Sequence, residues 1–355
     1  MIKIIKKKND WCPLIRSSKN SDFYHTYDYH HLSKNKEELP VLITYSESDK
    51  TISLPLLLRK IEGTPFFDAT SVYGYSGPTI KNIPTDFDNS VFKEELNRIF
   101  QELKIISVFS RLNPFVEHQN SVLTGLGDLS MSGKVIYIDL TKDLDTQKSA
   151  YDKRLRTYIN KARRQCGLRL AEGPEDLDIF IEMYYENMKR VNAKKSYFFS
   201  KKYFVDLLKT KDFETEILLA THDESKKIIG GAMFIKKNKI VQYHLSGAKE
   251  EYLALNAIKL IIDEMRIRAT QEGYKYLNLG GGVGGQEDSL FHFKSKFSKD
   301  YKDFELWKYV VNQKVYDDLV TQVIGQESSS LRFKAYTKYF PFYRCNSNEL
   351  KAINL

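Results

Sequence analysis

The order of β-forming and helical segments between residues 216 and 281 restricts the fold of this chain more than any other feature. Short polar turns separate three β-rich runs, which predicts three antiparallel strands: EILLATHD, KIIGGAMFIKKN and KIVQYHLSGA. The segment 253–274 then has apolar residues at helical spacing and closes at Gly273. Because YLNLGG (276–281) indicates a further strand, we predict an α/β (α+β) unit with a mixed, mostly antiparallel sheet flanked by helices.

The first half of the chain has a rougher version of the same order. Two β-rich runs flank the turn SESDK within residues 40–61, which predicts a hairpin. A strand then enters an ordered loop over 66–80, and SVFKEELNRIFQEL (90–103) is predicted to form a helix with Ser90 as its N-cap. Two further strands are expected at 105–112 and 135–140. We therefore expect two α/β units in tandem.

A strongly basic segment marks a change near residue 145. The segment 145–170 is predicted to be helical, and no acidic residue follows Asp152 in it. It contains a cluster of cationic residues, namely Lys153, Arg154, Arg156, Lys161, Arg163 and Arg164. Such a cluster either binds the phosphates of a nucleotide sugar or of RNA, or it is a solvated helix face. The lack of interleaved carboxylates favours phosphate.

Composition and charge limit the class of protein. The chain has 355 residues, enough for two domains, and a net charge of +9 that attracts phosphate-bearing partners such as nucleic acid, coenzyme A or an anionic membrane surface. Three scattered cysteines predict neither a disulfide framework nor a zinc site. His25, His30 and His31 lack matching ligand spacing, so we expect no metal. With no signal peptide and no transmembrane segment in the sequence, a cytoplasmic location is expected.

The stretch LGGGVGGQEDSLFHFKSKFSKDY (279–301) is the main candidate for a site. It matches neither the dinucleotide-binding fingerprint nor a P-loop, because no helix opens directly after the glycines and no Gly-Lys-Ser/Thr follows. Glycines after a strand allow the backbone to pass close to a ligand or to another strand. Both a structural bulge and a ligand-approach loop are consistent with this pattern.

A short helical turn is expected after these glycines. Asp288 or Ser289 can cap it, which would bring Phe293 and Phe297 onto one face with Lys294 beside them. A lysine beside an apolar cleft can stabilise the oxyanion of an acyl-transfer intermediate, or act as a base if it is desolvated. The alternative is a surface lysine between two core phenylalanines.

Several segments together resemble the FemAB-like transferases, in their acetyltransferase-like branch, which are built from tandem GNAT-type domains. The resembling segments occur in the expected order and are LPLLLRK (54–60), FFDATSVYGYSGP (66–78), KRLRTYINKARRQCG (153–167), IGGAMFIKKNKIVQYHLSGA (229–248) and GYKYLNLGGGVGGQEDSLFHFKSKFS (273–298). The resemblance implies a first domain over 1–145, completed by the segment 318–355, and a second domain over 146–317 that carries the acyl-transfer site.

The resemblance also implies a function, the transfer of an aminoacyl or acyl group to an amine of a cell-wall precursor or amino sugar. The donor would be aminoacyl-tRNA, acyl-CoA or an acyl-carrier protein, with no permanently bound cofactor. By the family pattern Phe293 and Lys294 hold the activated acyl end, and Arg156 is the closest match to a residue that contacts precursor phosphate. The proton of the attacking amine has three candidate acceptors: Asp288, His292 and the substrate itself. The other candidate substrate-binding residues are Lys153, Arg163, Tyr73, Tyr75, Tyr243, Gly281 and Gly282.

Two departures from the family pattern bear on the substrates. Bridge-building members have an acidic residue soon after the first-domain Gly-Pro, whereas Thr79, Ile80 and Lys81 follow Gly77-Pro78 here, so a different acceptor is expected. The segment HLSGAKEEYLALNAIKL offers a pyrophosphate only one glycine and a pair of glutamates, which argues against coenzyme A at that place.

The expected partners are therefore tRNA and a phosphorylated small-molecule or lipid-linked acceptor, with transient contact to a membrane surface. The oligomeric state stays open. A different class of protein also fits the basic helix, a non-catalytic nucleic-acid or membrane-surface binder that retains the fold.

Overall fold

The computed structural model describes residues 1–18, 20–324 and 339–345. The chain divides into two compact units. The first comprises Met1–Ser132 with the described part of Phe304–Leu355, and the second comprises Gly133–Asp303. The sequence placed these divisions at 145/146 and 317/318. No helix in the described part of the chain is both long and apolar enough to cross a membrane.

The described residues form thirteen strands and eleven α-helices. The strands are β1 (Ile2–Ile5), β2 (Leu39–Glu47), β3 (Lys50–Lys60), β4 (Phe67–Thr70), β5 (Thr79–Lys81), β6 (Ile105–Arg111), β7 (Asp128–Asp139), β8 (Cys166–Leu170), β9 (Glu214–His222), β10 (Ile228–Lys237), β11 (Ile240–Ala248), β12 (Tyr276–Gly280) and β13 (Tyr301–Val310). The helices are α1 (Lys8–Ser17), α2 (Tyr27–Ser33), α3 (Ser90–Glu102), α4 (Gln119–Leu123), α5 (Leu144–Ser149), α6 (Lys153–Ala162), α7 (Gly173–Arg190), α8 (Lys201–Lys209), α9 (Ala257–Gln271), α10 (Ser289–Lys294) and α11 (Gln313–Ile324).

The sheet of the first unit has the order β1-β2-β3-β4-β6-β13, with β5 paired to β3. The expected hairpin is confirmed as β2 and β3, whose register closes at Glu47 and Lys50. Alternate residues of these strands point to opposite faces. One set packs against α3 in the main core, whereas Leu42 on the other face packs with Trp11 and Ile15 of α1. Helix α3 connects β4 to β6, which form a parallel pair.

The sheet of the second unit has the order β7-β12-β11-β10-β9-β8. The expected meander is confirmed, because β9, β10 and β11 pair antiparallel in sequence order. Helix α9 then crosses over to β12, which runs parallel to β11. Helices α6 and α9 pack in the core with Ala232 and Phe234 of β10, while Phe180 of α7 lies against Gly231 on the opposite face.

Two local predictions are wrong. Residues 166–170 were expected to be helical but form β8, which pairs with the edge of the meander at β9, so tertiary pairing overrides the basic helical pattern. Ser90 is the first residue of α3 and Asn89 is the N-cap; the Ser90 hydroxyl is instead hydrogen-bonded to Asp88. The sequence also predicts mostly helical structure over 314–339; α11 confirms this up to Ile324, and residues 325–338 lie outside the described residues.

Candidate functional site

Strands β11 and β12, the parallel pair of the second unit, separate where the glycine stretch begins. Their ladder runs only from Ile240↔Tyr276 to Gln242↔Asn278, whereas β11 continues to Ala248. Strand β12 ends at Gly280, in the left-handed region with a φ of +76°. Because the strands separate at this point, the loop after β12 lies where a ligand can approach the end of a parallel pair.

Asp288 ties this loop to helix α10. As the N-cap of α10 it accepts hydrogen bonds from the backbone N–H of Phe291 at 2.9 Å and of Val283 at 3.0 Å, which confirms the expected cap. Burial raises the pKa of the Asp288 carboxyl, but backbone hydrogen bonds from Phe291, Val283 and Leu290 outweigh burial and lower it below the ordinary value. Both carboxylate oxygens are thereby engaged in holding the loop.

Lys294 lies at the end of α10 with its ammonium group buried. The residue is 8% exposed, and Nζ donates a hydrogen bond to the Gly281 carbonyl oxygen at 2.7 Å. Burial lowers the pKa of Lys294 to about 8, and the charge of Asp288 opposes that shift. One N–H of the ammonium is used by the loop, so two remain for a ligand.

Phe293, Phe297 and Tyr243 lie in or against the core of the second unit. Phe293 is half-buried against that core, and its ring meets Phe297 at 5.6 Å in an edge-to-face arrangement, as the spacing predicted. His292, the preceding residue of α10, is exposed. Tyr243 of β11 packs against the same core as Phe293, its hydroxyl is hydrogen-bonded to Ser246, and burial raises its pKa to about 12.

Glycines 281 and 282 permit the close packing of the loop. Gly281 is buried and supplies the carbonyl that binds Lys294. A Cβ on Gly282 would lie 2.0 Å from the Gln286 carbonyl oxygen and 2.4 Å from Asp288 Oδ1. Position 282 therefore has no room for a side chain, whatever ligand the loop approaches.

Helix α6 presents cations that no other described residue neutralises. Arg156 is half-buried and Lys153 is exposed, and neither side chain forms a hydrogen bond or ion pair with another described residue. Arg163 differs, because it is ion-paired with Asp263 at 3.0 Å and Glu264 at 3.3 Å on α9. Of the three candidate cations, Arg156 and Lys153 thus offer charge for an anionic ligand, and Arg163 is already paired.

Tyr73 and Tyr75 lie in the first unit. Tyr73 is 49% exposed, and its backbone carbonyl accepts a hydrogen bond from the Tyr29 hydroxyl at 2.9 Å. The ring of Tyr75 packs edge-on against Phe304 at 4.9 Å and near Tyr24 at 6.1 Å. Tyr73 therefore presents its ring to solvent, whereas Tyr75 is part of an aromatic cluster.

Sequence reasoning missed a polar pair on the second unit. His244 of β11 is hydrogen-bonded through Nε2 to the Tyr203 hydroxyl of α8 at 3.0 Å, and burial lowers its pKa to about 3. His244 is the residue of β11 that a register shift opposite Met233 and Phe234 leaves unpaired with β10, and strand alternation in the sequence does not reveal such a bulge. The partner on α8 could not be predicted, because it lies 41 residues earlier in the chain.

The loop between β11 and α9 is acidic. A depression of about 600 Å³ is lined by Glu182, Met183, Glu186, Lys249, Glu250 and Glu251. The backbone N–H of Glu250 donates to Glu186 Oε1 at 2.7 Å, so this amide is already engaged. A pyrophosphate bound here would meet several carboxylates and lose one of the amides that normally hold such a group.

Comparison with known proteins agrees with this geometry. Residues 149–302 match the family model of the acetyltransferase (GNAT) domain. The crystal structure of FemX is similar, with a TM-score of 0.69 at 13% identity over 91% of this chain and 100% of that chain. The C-terminal domain of a putative lysylphosphatidylglycerol synthetase from Agrobacterium fabrum has a TM-score of 0.54 at 14% identity, over 89% and 98%. No curated protein matches the sequence.

The matched domain and the fold define an acyltransferase of the GNAT type. FemX shares its fold with this chain, so the fold expected from the family resemblance is confirmed.

Proposed function

We propose that the protein transfers an aminoacyl or acyl group from an activated donor to an amine of a cell-wall precursor or amino sugar. The observation that carries this proposal is the buried ammonium of Lys294, held by the Gly281 carbonyl where β11 and β12 part. A buried cation with free N–H groups stabilises negative charge more strongly than an exposed one, because the surroundings screen it less.

In the proposed reaction the acceptor amine attacks the donor carbonyl carbon. The carbonyl π electrons move to oxygen, and Lys294 donates a hydrogen bond to that oxyanion. When the tetrahedral intermediate collapses, the carbon–oxygen or carbon–sulfur bond to the leaving group breaks and the amide remains. The amine loses one proton and the leaving group gains one. Asp288 is less suited to accept the amine proton, since its carboxylate caps α10 and has a lowered pKa.

The acidic loop bears on the donor. Glu182, Glu186, Glu250 and Glu251 around the depression favour a donor that places no pyrophosphate there. Aminoacyl-tRNA satisfies this condition, and we infer that it is the donor; an acyl-carrier protein or coenzyme A bound elsewhere are the other candidates. The shared fold with a putative lysylphosphatidylglycerol synthetase domain is consistent with an aminoacyl donor.

The cations of α6 bear on the acceptor. Arg156 and Lys153 have no carboxylate partner among the described residues, which supports an acceptor that carries phosphate, either a nucleotide-linked or a lipid-linked sugar. A lipid-linked acceptor would require transient contact with a membrane surface.

A donor experiment tests this proposal. Purified protein is incubated with a lysate of its own source, in separate reactions with labelled aminoacyl-tRNA, labelled acetyl-CoA and a labelled acyl-carrier protein, and label in a base-stable amide is followed. We expect ribonuclease-sensitive transfer from aminoacyl-tRNA. Transfer only from coenzyme A or only from the carrier protein would overturn the inferred donor, and transfer from none of the three would overturn the proposed function.

The alternative is a nucleic-acid or membrane-surface binder without catalysis, which the unpaired cations of α6 favour. Such a protein would retain RNA or vesicle binding in a Lys294→Ala variant and would form no amide with any donor. Binding without amide formation therefore selects this alternative.

A further inference from the structure

A buried pair of amide side chains bridges β11 and β12 where their ladder ends. Asn278 is 1% exposed and Gln242 is 3% exposed. Asn278 Nδ2 donates to Gln242 Oε1 at 2.8 Å across the parallel pair, and Asn278 Oδ1 accepts the backbone N–H of Gly280 at 2.9 Å. Because buried polar groups are costly to leave unpaired, each end of this bridge holds the other in place.

The bridge determines the path of the chain toward Lys294. The register between β12 and β7 shifts between Asn278 and Gly280, which pairs with Ile136, so the strand contains a bulge at this point. Gly280 then adopts a φ of +76°, a conformation that glycine tolerates best. The next residue, Gly281, supplies the carbonyl that accepts from Lys294 Nζ at 2.7 Å.

The clearance at this bend is small. A Cβ on Gly280 would lie 3.2 Å from Lys294 Nζ, so the backbone and the ammonium group are nearly in contact. A change in the backbone dihedral angles of Gly280 would therefore move the Gly281 carbonyl away from Nζ. Within the described residues, the side-chain hydrogen bond to the Gly280 N–H comes from Asn278.

We propose that Asn278, held by Gln242, is a positioning residue for acyl transfer. It fixes the bulge and the Gly280 conformation, and thereby directs the Gly281 carbonyl at Lys294 and keeps the ammonium at the end of β12. This inference rests on the proposed function for its consequence in catalysis. The effect of Asn278 on the position of Lys294 can be measured without knowing the substrates.

The test measures the ionisation of Lys294 without any substrate. The intact protein is labelled with trace acetic anhydride across the alkaline pH range, and mass spectrometry follows the peptide that contains Lys294, with Lys299 as an internal reference. The variant is Asn278→Ala. The matched control is Gln147→Ala, because Gln147 is also a buried amide of the second unit, 2% exposed, but is hydrogen-bonded to Lys142, Arg266 and Thr270.

In the parent and in Gln147→Ala, we expect half-maximal labelling of Lys294 near pH 8. In Asn278→Ala we expect the half-point to move up toward 10.5, the ordinary lysine value, because loosening the strand end admits water and relieves the burial that lowers the pKa. Where a transfer assay is available, kcat should fall about tenfold to a hundredfold with little change in KM, as expected for a misplaced catalytic group.

An unchanged half-point in Asn278→Ala, or an equal shift in Gln147→Ala, would overturn the proposal. If Asn278→Ala does not fold, Gln242→Ala removes the bridge between the strands while Asn278 Oδ1 can still accept the Gly280 N–H, and it should shift the half-point in the same direction by less. No shift in Gln242→Ala would overturn the proposal as well. Because the labelling needs no substrate, a lack of turnover in every variant would count against the proposed function alone.

Discussion

Lys294 is a lysine whose charge state the fold controls. It is almost completely buried, it donates to a single backbone carbonyl, and burial brings its pKa to about 8. At pH 7 most molecules therefore carry the ammonium form of Lys294, and near pH 8 the neutral amine is present in about half of them. The two chemical roles that the sequence left open, oxyanion stabiliser and base, require opposite forms of this group.

The pH dependence of transfer distinguishes these roles. If Lys294 stabilises the oxyanion, it must be charged, so kcat should fall as the pH rises through about 8. If it acted as a base, kcat would rise through the same range. We expect the fall, measured from pH 6 to 10 at saturating substrates. A Lys294→Arg variant should retain its positive charge, and its kcat should no longer fall near pH 8, because arginine does not titrate there.

Arg156 of α6 and Arg163, the C-cap of that helix, should respond differently to removal. Arg156 has no ion-pair partner among the described residues, so Arg156→Ala should raise KM for a phosphorylated acceptor about tenfold, weaken its dependence on salt, and leave stability nearly unchanged. Arg163 is paired with Asp263 and Glu264, so Arg163→Ala should lower the free energy of unfolding by up to about 1 kcal/mol and leave KM unchanged. Urea unfolding and steady-state kinetics measure both, and the reverse pattern would contradict these assignments.

Some properties of single residues could be predicted from the sequence and others could not. The spacing DSLFHFKSKF is sufficient to predict the Asp288 cap and the shared face of Phe293 and Phe297, because both depend on residues within one helical turn of each other. The burial of Lys294 and the pairing of Arg163 with α9 depend on residues distant in the sequence. Periodicity contains no information about such partners.

At the scale of the element, the glycine loop and α10 form one hydrogen-bonded unit. Asp288 caps α10 and also binds the N–H of Val283 within the loop. A change that displaces Asp288 should therefore disturb the loop and Lys294 together.

Two glycines of this loop test that coupling. Gly282 has an ordinary φ of −83°, but a Cβ there would lie 2.0 Å from the Gln286 carbonyl oxygen, so Gly282→Ala should displace the loop and lower kcat at least tenfold. Gly284 has a φ of +63° with no atom within 4 Å of its added Cβ, so Gly284→Ala should lower the free energy of unfolding by about 1 kcal/mol and largely retain activity. Equal effects on kcat, measured beside thermal unfolding, would contradict the coupling.

Elements formed by pairing between neighbouring segments could be predicted from the sequence, whereas elements formed by pairing between distant segments could not. The hairpin β2–β3 and the meander β9–β10–β11 are local pairings joined by short turns, and both were predicted. Strand β8 was predicted as helix, because its five residues continue a basic helical pattern and become a strand by pairing with β9, more than forty residues later. The bulge near Gly280 likewise depends on pairing with β7.

At the scale of the whole molecule, each unit contains a helix that crosses between two adjacent parallel strands. Helix α3 connects β4 to β6 in the first unit, and α9 connects β11 to β12 in the second. The sequence could predict this duplication, because the order of elements repeats even where the residues do not. It could not predict the donor or the acceptor, since the fold supports many substrates and the loops decide among them.

The central claim is that this fold performs acyl transfer through Lys294, and a single-turnover comparison tests it most directly. Lys294→Ala is compared with Lys299→Ala, which removes an exposed lysine five residues later. With labelled donor and saturating acceptor, we expect Lys294→Ala to lose about a hundredfold to a thousandfold of the rate of amide formation, the usual effect of removing an oxyanion donor, and Lys299→Ala to match the parent. Amide formation by Lys294→Ala within a few-fold of the parent would contradict the mechanism.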